Sequence, residues 1–148
     1  MPKKTYRVVY NGVEYTRQTE RTYTHVVLVR RDYETELADT IKRARQRVKA
    51  DHDYAVDLAN RPINPYSWIT AEQLAEHARI AALTPEQYEQ ERVEHARAYV
   101  EKRRAAGVFD NPGPLTWCGR PDLAAKEEAR ARSSGYWAEV VTVPVPQP

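Results

Sequence analysis

The side chains best placed to do chemistry are cations. Lys42, Arg43, Arg45, Arg47 and Lys49 put five positive charges and no acid into eight residues. At about 3.6 residues per turn, Lys42, Arg45 and Lys49 fall along one side of a helix, and Arg43 and Arg47 flank the apolar stripe on the other. Such a stripe can lie against phosphates, and counter-ion release would make that binding steeply salt-dependent. The plainer alternative is a solvated face whose arginine stems cover apolar surface and whose charges pair with nearby carboxylates. A second cluster, Lys102-Arg103-Arg104, falls in a last helical turn, where the helix dipole alone favours cations.

Nucleophilic and metal chemistry have thinner support. Cys118 is the only cysteine, and a thiol ahead of a helix start can have a lowered pKa. It needs an orienting base, and no histidine is near it in sequence, so a site around Cys118 and His25 has to be assembled in space. Beside Trp117 in a short strand, the residue reads as a packed structural cysteine. The four histidines His25, His52, His77 and His95 show no pairing at three or four residues, so no metal ligand set is expected. No glycine-rich phosphate loop is present, and no cofactor is implied. A helix-turn-helix is excluded because the second helix would present Glu86, Glu89, Glu91 and Glu94 to phosphates.

Aromatic usage says more. Ten tyrosines and three tryptophans stand against one phenylalanine, and rings with a polar edge suit half-exposed surfaces and interface anchors. The connector Asn64-Pro65-Tyr66-Ser67-Trp68-Ile69 sets Tyr66 and Trp68 in a loop that is either docked on the domain or offered to a partner. Docking as a hydrophobic staple accounts for Ile69 and in part for Trp68; Tyr66 is left over.

The elements that position these residues begin with strands. Tyr6 to Tyr10 and Val13 to Thr16 flank Asn11-Gly12, a two-residue type I′ hairpin signal. With Tyr10 facing Val13, the residues Tyr6, Val8, Tyr10, Val13 and Tyr15 share one surface. The apolar run from Val26 to Val29 predicts a central strand covered on both faces. Asp32 caps a helix from Tyr33, with Leu37, Ile41, Ala44 and Val48 as its stripe. Asp51 would fall on that stripe, so a bend or an end is expected there. Thr70-Ala71-Glu72-Gln73 and Thr84-Pro85-Glu86-Gln87 are two capping boxes, each with a staple. The second of those helices should stop at Gly107. A packed pair of the two would bury Leu74, Ala78, Val93 and Val100. A strand at Leu115–Cys118, a helix from Pro121 to about Ser133 and a strand from Tyr136 to Val143 close the chain.

The order predicts an α+β fold. A small, mostly antiparallel sheet is expected from the N-terminal hairpin, the third strand and a C-terminal β-α-β unit, around an inserted helical segment. With 148 residues the chain has the length of one domain. Its divisions are 1–31 (hairpin and strand), 32–110 (helical insertion) and 111–148 (β-α-β with a proline-rich tail). No apolar run reaches the roughly 18 residues a membrane span needs, so no membrane partner is expected. A single cysteine excludes an internal disulfide framework and points to a reducing, cytoplasmic setting. A net charge of +2 is too small for a generic polyanion binder.

The leading expectation is a non-catalytic accessory protein that occupies a surface on a protein or protein–nucleic-acid complex through Tyr66 and Trp68. The small size and the Arg- and Ala-rich helices fit a phage or mobile-element protein that modulates a host system. The alternative is direct nucleic-acid binding through helix 42–49, with the tyrosine-bearing sheet as a stacking platform. A third is an enzyme with a site near Cys118. A homodimer through the helical segment is open.

Overall fold

A computed structural model describes residues 2–62 and 68–148. Its elements in chain order are β1 (Lys4–Tyr10), β2 (Val13–Thr19), β3 (His25–Arg30), α1 (Tyr33–Ala59), α2 (Ala71–Ala81), α3 (Pro85–Ala105), β4 (Gly113–Cys118), α4 (Pro121–Ser133) and β5 (Glu139–Pro144). The class is α+β, with the N-terminal hairpin and C-terminal β-α-β that the sequence indicates. Two compact units form: Met1–Thr35 with Lys102–Pro148, and Glu36–Glu101.

In the first unit the strands divide between two sheets, β1-β2 and β4-β3-β5. The reason is edge occupancy. Antiparallel partners fill both edges of β3, so the hairpin has no free edge there to join. It packs face to face instead, and Tyr6 and Val8 meet Val26 and Leu28. The opposite face of β3 turns Val27 and Val29 to Ala124 and Ala131 of α4. Every apolar residue of β3 is thereby buried, as its unbroken run implied. The hairpin turn is built on Asn11 at φ 49° and Gly12 at φ 77°, two left-handed residues as type I′ demands. Register follows as the sequence set it, with Tyr10 opposite Val13 and Val8 opposite Tyr15. Tyr15 also donates a hydrogen bond to the Pro112 carbonyl.

The second unit is three helices. Asp32 caps α1 through the Thr35 amide at 3.0 Å. The helix then continues through Asp51 to Ala59, so it does not end where the sequence allowed it to. The buried stripe advances from Val48 by four residues to His52 and then by three to Ala55, which steps past Asp51. Asp51 instead pairs with Arg47, one turn earlier. Both capping boxes form. Thr70 and Thr84 accept from the Gln73 and Gln87 amides at 3.1 Å, and each glutamine side chain accepts from the threonine amide at 2.9 Å. Val48, Ala55, Ile80 and Tyr88 make the core. Of the four positions expected to be buried between α2 and α3, Val100 is buried, Leu74 and Val93 are half-buried, and Ala78 is exposed. Ile80, Tyr88 and Ala96 take the interior places instead.

Candidate functional site

Trp68 stands two residues before the Thr70 cap and is 98% exposed. An indole left almost wholly in water forgoes a large hydrophobic contribution, which makes it a candidate anchor for something outside the chain. Its neighbour Tyr66 lies outside the described residues.

The five cations of α1 are all exposed, and most are already engaged. Lys49 reaches Asp53 at 2.9 Å, Arg47 reaches Asp51 at 3.6 Å, and Arg45 reaches Glu89 of α3 at 3.8 Å. Arg43 donates to the backbone carbonyl of Asp39 at 3.4 Å. Two shallow grooves border this face. The first is lined by Ala38, Ile41, Lys42, Arg45, Gln46 and Arg97. The second has Arg45, Lys49 and His52 beside Asp53, Glu86 and Glu89, a lining of mixed sign. Arg97 is the member that sequence reasoning missed. It belongs to α3, and only the packing of α3 on α1 brings it beside Lys42 and Arg45. Two members of the second basic cluster are engaged in the first unit, where Arg104 lies 4.3 Å from the Tyr33 ring centre and Arg103 lies 5.7 Å from that of Phe109, and Lys102 is exposed.

Cys118 and His25 are direct cross-strand partners on β4 and β3. Both lie on the α4 face, so the topology brings this sequence-predicted pair to adjacent places. The chemistry does not follow from the adjacency. The thiol is 6% exposed within a cluster of valines and alanines. Burial pushes it above its ordinary range, opposed by a hydrogen bond with Thr116, while Glu127 adds to the rise. The Nδ1 of His25 is held by Thr24 Oγ1 at 2.9 Å. Cys118 should therefore react slowly. Iodoacetamide labelling near pH 8 is expected to be at least tenfold slower for the folded than for the unfolded chain. The folded rate should begin to climb only above the ordinary thiol range near about pH 8.5. Equal rates in the two states would contradict the burial.

The other histidines are packed into helix contacts or exposed. His52 is buried, with Nε2 2.7 Å from the Leu83 carbonyl. His77 stacks edge-on against Tyr54, and His95 is exposed. Arg79 bridges Glu76 and Glu91 at 2.7 and 2.6 Å, tying α2 to α3. Hydrogen bonds from its guanidinium hold both carboxyls below the usual carboxylate range. No group of three or more possible metal ligands occurs among the described residues. No helix among them is long and apolar enough to cross a membrane. Comparison with protein-family models, with curated proteins and with solved structures finds no match.

Proposed function

We propose that this chain is a non-catalytic accessory protein that works by occupying a surface of a protein partner, with Trp68 as its anchor. The observation that carries the reading is the nearly full exposure of the Trp68 indole beside a well-capped helix start. Tryptophan is over-represented among residues that dominate binding energy, and burying this ring against a partner would recover a large apolar area. The capping box at Thr70 fixes the backbone two residues beyond the ring. Less ordering entropy is then lost when the anchor docks. The reading includes a reducing, cytoplasmic setting, in which Cys118 stays a free thiol as it is here.

Direct nucleic-acid binding by helix 42–49 draws less support, because Arg45, Arg47 and Lys49 each already face a carboxylate of their own unit. Catalysis at Cys118 draws less again, because burial holds its proton on.

The test is photo-crosslinking from a benzophenone amino acid placed at the exposed Ala71, beside Trp68 and not in its place, in cells that express the chain. The partner recovered is then titrated with the purified wild type and with Trp68→Ala. The expected result is at least tenfold weaker binding by the variant, about 1.4 kcal/mol, with an unchanged far-ultraviolet spectrum. A partner bound equally well by both proteins would sink the reading.

A further inference from the structure

The first groove on the helical unit differs in charge from the one that adjoins it. Its floor is Ala38 and the buried Ile41, and its rim is Lys42, Arg45, Gln46 and Arg97. Three cations converge there, of which Arg45 also faces Glu89 at 3.8 Å, and no carboxylate lines the groove itself. The adjoining groove contains Asp53, Glu86 and Glu89.

We infer that this groove is a docking site for a short acidic amphipathic segment of a protein partner, with an apolar side chain over Ile41 and carboxylates on Lys42 and Arg97, beside an Arg45 that already faces Glu89. Three observations select that occupant. The floor is apolar, which gives an aliphatic side chain something to bury and gives a sugar–phosphate backbone nothing. The cationic stretch is also short. From Ala38 to Gln46 is about two turns of α1, roughly 12 Å, which matches two turns of a docked helix. Beyond it a continuous polyanion would meet Arg47 and Lys49 already paired to Asp51 and Asp53, and then the glutamates at the start of α3. A duplex draws its affinity from a run of phosphate contacts, and here the run is interrupted within a turn. A segment with two or three carboxylates around one apolar residue fits the short site and avoids its acidic neighbour. This site is separate from Trp68 and does not depend on the function proposed above.

Lys42 and Arg97 are the residues to reverse, since both are exposed and neither takes part in an ion pair among the described residues. The full chain is isotope-labelled and titrated, with the Ile41 methyl signal as readout. The probe is a synthetic helical peptide of about 14 residues, roughly 21 Å. It carries one leucine flanked by glutamates one turn to either side. The acidic peptide should shift the Ile41 methyl saturably. Lys42→Glu/Arg97→Glu should weaken it at least tenfold. A matching peptide with lysines in place of the glutamates should bind that variant and not the wild type. Three outcomes would overturn the inference: no shift with the acidic peptide, equal binding by wild type and variant, or a short DNA duplex moving the Ile41 signal where the peptide does not. The Trp68→Ala variant should bind the peptide like wild type, so failure here and failure at Trp68 are read separately.

Discussion

Truncating Leu28 to alanine is expected to destabilise the protein by about 2–5 kcal/mol, the range for removing a leucine from a packed interior. For a chain of this size that corresponds to a fall in Tm on the order of 10 °C. Leu28 is fully buried and sits on the face of β3 that the hairpin covers, with Tyr6, Val8 and Val26 around it. The surrounding residues have little room to collapse into the space. β3 is hydrogen-bonded on both edges, so its backbone cannot shift toward the hairpin without breaking ladder bonds to β4 or β5. Val9→Ala on the outer face of the hairpin is the control. That side chain is 66% exposed, and its loss should cost within about 0.5 kcal/mol. The pair is measured by chemical denaturation followed by circular dichroism. A Leu28→Ala cost as small as that of Val9→Ala would mean that the hairpin does not cover the sheet.

The local elements were legible because their chemistry is local. Asn11-Gly12 accepts the two left-handed conformations of its turn, and Thr70 and Thr84 find their capping glutamines three residues on. The all-apolar run in β3 announced a strand covered on both faces without saying by what. What was illegible depended on partners distant in sequence. Whether α1 continued past Val48 turned on whether the stripe stepped three residues to Asp51 or four to His52. The step of four is chosen by the Leu83 carbonyl, which gives the His52 ring a buried partner. That the strands make two sheets depends on which of them claim the edges of β3, and no periodicity encodes it. The last strand starts at Glu139 and not at Tyr136 because Tyr136 is diverted, its ring 3.7 Å from the guanidinium of Arg31 and its carbonyl accepting from the same group. The candidate site divides the same way. Lys42 and Arg45 stood out as members of a dense run, and Trp68 as a large ring in a connector. Arg97, an arginine in a helix full of charge, carried no signal until α3 was set against α1.

Replacing His52 is the second change expected to cost most. The ring is 8% exposed, stands 6.3 Å from that of Tyr88, and its Nε2 donates to the Leu83 carbonyl in the turn between α2 and α3. The contact joins the middle of α1 to the loop that sets the α2–α3 pairing, so it fixes which stretch of α1 faces Val48, Ala55 and Ile80 in the core. His52→Leu preserves apolar volume and removes the donor, and the stranded carbonyl should cost about 1–3 kcal/mol. Glutamine can place an amide nitrogen where the imidazole Nε2 lies, so His52→Gln should regain much of that loss. The comparison separates hydrogen bonding from packing. Filling space favours leucine, and satisfying Leu83 favours glutamine. Urea denaturation of the three proteins decides between them. Leucine matching the wild type, or outperforming glutamine, would mean that α1 is held past Asp51 by the packing of Val48 and Ala55 alone.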